Sequence, residues 1–483
     1  MHEVASLDAM ESLVRALLGG IAQALYDVWE QVVQQRGIEL GGTCPSCAGR
    51  RKVKRRAKAP MQVRVLGLTV EVSKLYLECD CGAPGLSVTR LLTGLSHGDA
   101  SAELELTAGY CGAEHSYSKA SRDLQVHHGQ SVERTHVRRM ALQVEREAVA
   151  FAESQRLEVL AELAHEGRRE GAAQLMMQGD GGIIRTGTLR PCEPGEPGYG
   201  QETAKTGRPR QKRDTQYREL ITLDVRAPGQ MTSCALDVVV PVVAAEGERA
   251  RRMLALAARR GLGDNTEVFG LGDMGSSLAD SFDEAFVGHT AMYCADWKHT
   301  IDYVDKAASV LAQRQPQRWA KAMKGALWNR ERKKVQRLMA RARERRVESL
   351  PQHLDKCPVQ ALGTYVENNW ERLKAKEFKE RELDFVSARA EAQVRDRTKS
   401  RFAVPGAWRH ENLEGKATLR AMIADGRWPG FREHYLRAGR ERFAEQLEQR
   451  LRAAVQQGRL SPACSPMITP SQQVAAPSIP HAA

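Results

Sequence analysis

Four cysteines, three acids and two groups of basic residues are where this sequence can do chemistry. Cys44-Pro-Ser-Cys47 and Cys79-Asp-Cys81-Gly82 form a CxxC and a CxC pair. Four thiolates on two tight knuckles suit tetrahedral Zn²⁺, and the glycine after the second pair lets the backbone turn around the ion. Asp180 follows Leu175-Met176-Met177 and precedes Gly181-Gly182, and Asp273 closes the run Val268-Phe269-Gly270-Leu271-Gly272. An Asp ending a strand beside glycine is exposed and fixed, which suits a metal ligand better than a core position. Glu391 sits on a helical pattern that continues through Arg395, Arg397, Lys399 and Arg401. Two Asp and one Glu from separate elements can hold two Mg²⁺ (or Mn²⁺) ions about 4 Å apart for phosphodiester chemistry. Taken singly, each acid reads equally well as a surface carboxylate.

Basic residues supply the second theme. Residues 313–346 hold thirteen basic and two acidic side chains, a local charge of +11, with Trp319 and Trp328 among them. A run so dense in one sign repels itself unless a counter-charge such as a nucleic-acid backbone is near. Arg332, Lys333, Lys334 and Arg337 are its centre. Arg50, Arg51, Lys52, Lys54, Arg55, Arg56 and Lys58 lie between the two cysteine knuckles. Residues 116–143 have the pattern of a helix-turn-helix: a helix over 116–126, a turn over 127–130, and a recognition helix over 131–143. Ser131 would be its N-cap, and Arg134, Arg138 and Arg139 would face DNA. Two short helices packed around a glycine give the same pattern.

The elements that must position these residues follow from periodicity. Residues 1–39 are an amphipathic helical segment. Residues 40–95 form a zinc ribbon whose hairpin lies between the knuckles, and 96–165 the helix-turn-helix domain. Strands are expected at 174–178, 219–225, 233–239, 267–272 and 291–295, with a helix at 247–260. Together they make an α/β layered unit over 166–299. The stretch 187–213, with Pro191, Pro194, Pro197 and Pro209, reads as a long flexible loop. A basic helical insertion covers 300–385 and further helices 386–456. A low-charge Ser/Pro/Ala/Gln tail covers 457–483.

The chain has 483 residues and a formal charge of +12, from 72 Lys and Arg against 60 Asp and Glu. Polyanions are the leading partner class. With 42% hydrophobic residues there is enough apolar matter for real cores, which excludes wholesale disorder. No apolar stretch reaches membrane-span length and the N-terminus lacks a secretory pattern, so a cytoplasmic, nucleoid-associated protein is expected, with thiols or metal ligands rather than disulfides.

These residues, in this order, resemble DDE transposases of bacterial insertion sequences, in the Mutator-like branch that includes the ISKra type. The matching strings are Gln178-Gly179-Asp180-Gly181-Gly182, Tyr217-Arg218-Glu219-Leu220, Leu271-Gly272-Asp273 and Asp296-Trp297-Lys298-His299. They continue with Tyr365-Val366-Glu367-Asn368-Asn369-Trp370-Glu371-Arg372-Leu373 and Ala390-Glu391-Ala392, which runs into Arg395-Asp396-Arg397-Thr398-Lys399. The resemblance covers roughly residues 40–430. It implies an α/β RNase H-like catalytic core with a helical insertion, preceded by a zinc ribbon and a helix-turn-helix domain. It implies cleavage and strand transfer at terminal inverted repeats and target DNA, by a homo-oligomer in the synaptic complex. Asp180, Asp273 and Glu391 would hold the catalytic Mg²⁺ or Mn²⁺. Asp296 and His299 would be supporting, and Arg395 and Lys399 would join the DNA contacts. This chain has Val386-Ser387-Ala388-Arg389 where the family has a glycine-rich loop, and Met274 where it has glycine. Glu382, Asp384 and Glu367 are alternatives for the third acid. Two other readings are a DNA-binding regulator with an inactive core, and an RNase H-like nuclease or resolvase.

Overall fold

The computed structural model describes residues 7–55, 60–96, 98–165, 170–203, 207–230, 235–239, 247–274, 277–311, 316–344, 357–403 and 408–462. The chain divides into two compact units, residues 1–144 with 430–483, and residues 145–429.

The first unit begins with the long helix α1 (Leu7–Gly41) and small sheets from β1 (Lys52–Arg55), β2 (Met61–Val65), β3 (Leu68–Val72), β4 (Leu75–Glu78) and β5 (Leu86–Ser87). β1, β4 and β5 form one sheet, whereas β2 and β3 form a separate two-stranded sheet. The hairpin expected between the knuckles therefore exists, but the strands next to the knuckles, β1 and β4, pair with each other, Lys52 opposite Glu78. Alternation explains the β2–β3 hairpin: Met61, Val63, Val65, Val70 and Val72 are buried while their neighbours are not. Short α2 (Val88–Thr93), α3 (Ala102–Glu114) and α4 (Tyr117–His128) follow, then α5 (Arg134–His165), whose first turns belong to this unit. Ser116 caps α4 by accepting from the Lys119 amide, and Gly129 ends it at φ +64°. The next helix starts at Arg134 rather than at 131, so Ser131 is no N-cap. Ser121 Oγ instead donates to the carbonyl of Val132 across the turn. Leu104, Ala108, Ala120, Leu124, Val132, Val137 and Met140 make the core of this helical group.

The C-terminus corrects the domain reading. Most of the helix Trp428–Gln456 belongs to the first unit, not with the final helices of the α/β unit. Its Leu451 and Ala454, and Leu460 beyond it, pack on Leu75, Leu77, Leu86 and Val88. The buried Arg51 guanidinium donates to the carbonyls of Gly41, Pro84 and Arg459. Leu460 thus belongs to a core rather than to a tail, and residues 463–483 of the expected tail lie outside the described residues.

The second unit is a mixed α/β layer. Its five strands are β6 (Gln174–Pro191), β7 (Gln211–Arg226), β8 (Ala235–Val239), β9 (Glu267–Gly272) and β10 (Thr290–Ala295), in the spatial order β10-β9-β6-β7-β8. β6, β7 and β8 are antiparallel neighbours, while β6, β9 and β10 run parallel. α6 (Glu248–Ala258) and α7 (Leu278–Ala285) connect the later strands and cover one face through Leu175, Met177, Ile221, Leu223, Val225, Met253, Leu256 and Phe282. Such parallel crossovers need a helix to return the chain.

Two expected boundaries shift. β6 continues through Asp180 to Pro191, and β7 starts at Gln211, with unbroken pairing from Met176–Arg226 to Pro191–Gln211. The two ends of the expected flexible loop, 187–191 and 211–213, are therefore strands of a two-stranded ribbon. Arg190 pins its far end to Glu196 and Asp214 at 2.6 and 2.8 Å.

Helices α8 (Trp297–Ser309), α9 (Pro316–Trp328), α10 (Arg332–Glu344), α11 (Pro358–Asn369) and α12 (Ala375–Glu380) form the insertion. The basic stretch is a packed pair of helices broken at Arg330, which has φ +52°. Trp319, Met323, Leu327, Val335, Met339 and Ala342 are buried. Trp319 donates to the Leu338 carbonyl, and Trp328 stands edge-on to Trp297 and Phe385. Both interleaved tryptophans thus serve packing. α13 (Ala388–Gln393) then passes through a π turn, Val394–Lys399, into α14 (Ser400–Phe402), followed by α15 (His410–Ala424) and the terminal α16 (Trp428–Gln456).

Candidate functional site

The first candidate site is the cysteine cluster. Pairing of β1 with β4 places the knuckle before β1 beside the knuckle after β4. Around Cys44 the chain turns tightly: its amide donates to Gly49 O and its carbonyl accepts from Ala48. Gly82 has φ +80°, which closes the second knuckle without strain. Cys44 Sγ lies 3.6 Å from Cys81 Sγ, and Cys47 Sγ 3.4 Å from Cys79 Sγ. All four sulfurs lie within 4.8 Å of one another. Tetrahedral Zn–S bonds of about 2.3 Å require sulfurs about 3.8 Å apart, so the four residues fit Zn²⁺. Burial opposes ionisation of Cys44, but the Ser46 and Cys47 amides and the Cys81 thiol bring it down to about 6.

The second candidate site lies at the carboxyl ends of β6, β9 and β10. The parallel pairing of β6 with β9 ends at Gly179–Gly272, and that of β9 with β10 at Gly272–Ala295. Asp180, Asp273 and Asp296 are each the next residue, so three acids stand in a row across three strands. Asp180 is not at the end of its own strand. It is at the end of the parallel part of the sheet, where β6 goes on alone with β7. Gly272 permits this closeness, since a Cβ there would sit 2.8 Å from the Gly179 carbonyl and 2.6 Å from Tyr293 Oη.

The three acids differ in surroundings. Asp180 is half-buried and accepts from the Gly181 amide at 2.7 Å. Burial raises its carboxyl above the usual range, Lys399 and His299 pull it back, and Glu391 pushes it further up. Asp273 is likewise half-buried. Asp296 is fully buried and its carboxylate is spent: Oδ1 caps α8 by accepting from the Lys298 and His299 amides, and Oδ2 accepts the Ser387 amide at 2.7 Å and the Ser387 hydroxyl. It therefore ties the end of β10 to the segment that launches α13.

Glu391 stands in the first turn of α13 with both carboxylate oxygens 2.8 Å from Lys298 Nζ. Ligand atoms of Asp296, His299 and Glu391 fall within 4.8 Å of one another. Among the described residues, this and the cysteine cluster are the groups gathered so tightly; Asp180 and Asp273 are not in the same knot as Glu391. Behind Glu391, Arg389 is held by the buried Asp224 of β7 at 2.7 Å, which clamps α13 to the sheet.

Of the alternative third acids, Asp384 accepts from Gln178 Nε2 at 2.6 Å and from Arg226. Glu382 is exposed at φ +59° after α12. Glu367 faces Arg343 at 3.7 Å on the insertion. Glu219 of the Tyr217-Arg218-Glu219-Leu220 string lies on the sheet face opposite Asp180. Its carboxyl is raised by burial, and beyond the pull of Arg249 it feels Asp180 and Asp273. Its carboxylate occupies the space a Cβ on Gly181 would need, with Oε1 2.0 Å from that position. Lys298 was quoted without a role. The Arg389–Asp224 clamp left no sequence signal, because its partners are 165 residues apart.

The basic residues distribute unevenly. Arg134, Arg138 and Arg139 are exposed on α5 while Val137 and Met140 turn inward. On α10, Lys333 and Arg337 are exposed, Arg332 lies over the Trp370 ring at 5.5 Å, and Lys334 pairs with Glu331. Arg395 reaches Asp396 at 3.2 Å, and Lys399 is exposed near Asp180.

No family model and no curated protein matches the chain. Among solved structures, the Drosophila P element transposase strand transfer complex is similar at a TM-score of 0.24 and 10% identity, over 78% of this chain and 92% of that one. A likeness of that size carries no argument here. No helix among the described residues is long and apolar enough to cross a membrane.

Proposed function

We propose that the chain is a DDE transposase of the insertion-sequence type resembled by its motifs. On this reading it binds transposon ends and catalyses DNA strand cleavage and strand transfer on an RNase H-like sheet. The observation that carries the reading is the register that sets Asp180 beside Asp273 at the carboxyl edge of parallel β6 and β9, with Glu391 near enough to perturb Asp180. A sheet whose first three strands are antiparallel and whose last two run parallel to the first, in the order 3-2-1-4-5, supports the RNase H-like assignment.

Bound Mg²⁺ or Mn²⁺ ions would supply an activated water or 3′ hydroxyl and a stabilised leaving oxygen. The residues fit that role, since Asp180 and Asp273 are half-buried carboxylates side by side at the end of the parallel strand pairing. Asp180 and Asp273 would bind the ions from the strands. Glu391 would bind from α13 once it exchanges Lys298. Asp296 and Ser387 would hold α13 in place, and His299 and Lys399 would balance charge around Asp180. The zinc ribbon with Arg134, Arg138 and Arg139 would bind DNA ends, assisted by Lys333 and Arg337.

Cleavage of duplex DNA bearing the element's ends, with Mg²⁺ and with each of Asp180→Ala and Asp273→Ala, tests the proposal. Wild-type activity lost in both variants supports it; equal activity in all three proteins overturns it. The bidentate Lys298–Glu391 pair favours a second reading, a DNA-binding regulator with an inactive core. Metal-independent DNA binding without cleavage by the wild type would establish that alternative.

A further inference from the structure

The ribbon that extends β6 and β7 beyond the sheet carries an interaction surface of its own. From Ile183–Glu219 to Pro191–Gln211 only these two strands are paired, because β9 leaves β6 at Gly179 and β8 leaves β7 at Ile221. Cross-strand partners point to the same side, so residues of odd number on both strands share one face. Near the sheet the even face is covered, since Ile184 and Leu220 are buried against Phe402, Leu413 and Ala417. The odd face is open. Ile183 is 67% and Tyr217 71% exposed, and Arg185 and Arg213 beside them are exposed as well.

Its charge is one-sided. Residues 183–218 contain eight basic and four acidic side chains. Three of those acids, Glu193, Glu196 and Asp214, are taken up by Arg190 and Lys212 at the far end. On the open face the basic side chains are Arg185 and Arg213, both exposed. At its root this face begins with Gly181 and Glu219, whereas Asp180, of even number, points to the other side of the sheet.

We infer that the open face of this ribbon docks on duplex DNA, lying along a groove of the substrate. A two-stranded ribbon has the width of the major groove. Arginines flanking an exposed tyrosine offer phosphate contacts on either side of a stacking or packing surface. The inference rests on the proposed function in taking DNA as the partner.

The test uses the full chain without Mg²⁺, a fluorescein-labelled duplex, and anisotropy over a salt series. Arg185→Ala with Arg213→Ala should lower the slope of log affinity against log salt by about 2, since each phosphate contact contributes about 0.9. Tyr217→Ala should weaken binding about 3- to 10-fold at one salt concentration, the range of one lost aromatic contact. All three side chains are exposed, and unchanged circular dichroism melts verify folding. An unchanged slope and affinity overturn the inference. If they stay unchanged while light scattering shows a smaller assembly, the ribbon joins copies of this chain instead. Cleavage is read separately with Mg²⁺. A wild type that cleaves, with arm variants that bind normally, defeats the ribbon surface alone. Arm variants that lose binding in a protein that never cleaves defeat the transposase reading alone.

Discussion

The cysteine cluster and the acid row are metal-type sites assembled by opposite routes. Cys44 and Cys81 are 37 residues apart, and one antiparallel pairing brings both knuckles together. The sulfurs already stand at the separations of a tetrahedral site. The acid row draws on three strands and on a helix more than two hundred residues after Asp180. There the third acid is held by a lysine and Asp296 is consumed by hydrogen bonds. A closed structural site can be finished by local turns. The acid row instead depends on pairing of distant strands, and its Glu391 is balanced by a lysine.

The largest effects should come from the acids. Asp180→Ala, Asp273→Ala and Glu391→Ala should each reduce Mg²⁺-dependent cleavage by at least about 10³-fold, the scale of a lost electrostatic stabiliser. Asn at either Asp should fail too, since it keeps the shape but not the charge. Asp384→Ala, Glu382→Ala and Glu367→Ala are the comparison set. If one of them abolishes cleavage while Glu391→Ala does not, the third ligand is that residue.

Zinc content should be about one ion per chain, and Cys44→Ser with Cys79→Ser should remove it. Because structural zinc binding is worth on the order of 10 kcal/mol, the first unit should lose its cooperative melt. Elemental analysis and calorimetry of reduced protein check both. Normal zinc content in the double variant would mean the ion sits elsewhere.

The clamp behind Glu391 should show next. Arg389→Ala leaves the buried Asp224 carboxylate without its partner, a change costing about 3–5 kcal/mol, readable in urea unfolding. A cost under about 1 kcal/mol would show that Asp224 is satisfied without it.

The raised carboxyl of Asp180 gives a pH signature. The folded state holds this proton more tightly than the unfolded state, so its contribution to stability is full below the ordinary Asp range. That contribution is lost as pH rises through the higher folded value. Mg²⁺ affinity should run the opposite way and weaken as pH falls through the same window. Calorimetric titration of Asp180→Asn should lack the pH dependence.

The smallest effect should lie in the basic insertion. Neutralising Arg332, Lys333, Lys334 and Arg337 removes four charges, but Arg332 lies on Trp370 and Lys334 pairs with Glu331. The salt slope should therefore drop by about 2, the share of Lys333 and Arg337, rather than by about 4.

Much of this arrangement was legible before any coordinates. Alternating and helical periodicities located all five strands of the second unit, because a residue's face follows from spacing alone. The CxxC and CxC pairs marked the thiol cluster because knuckle geometry is local. The strand ends were misread at Asp180, where hydrophobic alternation weakens at Gly179-Asp180-Gly181-Gly182 while the backbone pairing continues. The prolines of 187–213 hid a ribbon whose ends are locked by Arg190. The charge of 313–346 hides a packed helix pair, since long basic side chains on outer faces coexist with a buried stripe of Trp319, Met323, Leu327, Val335 and Met339.

The sequence by itself determined which residue types were available, the local knuckles, the strand and helix periods and the order of the acids. Only tertiary structure decided that Gly179 and Gly272 stop in register, which puts Asp180 beside Asp273. It also decided that Asp296 is a cap instead of an open ligand, and that Lys298 holds Glu391. Glu219 comes to lie over Gly181 in the same way. Each of these depends on backbones and charges brought together across tens to hundreds of residues, and electrostatic coupling depends on distance in space, not on separation along the chain.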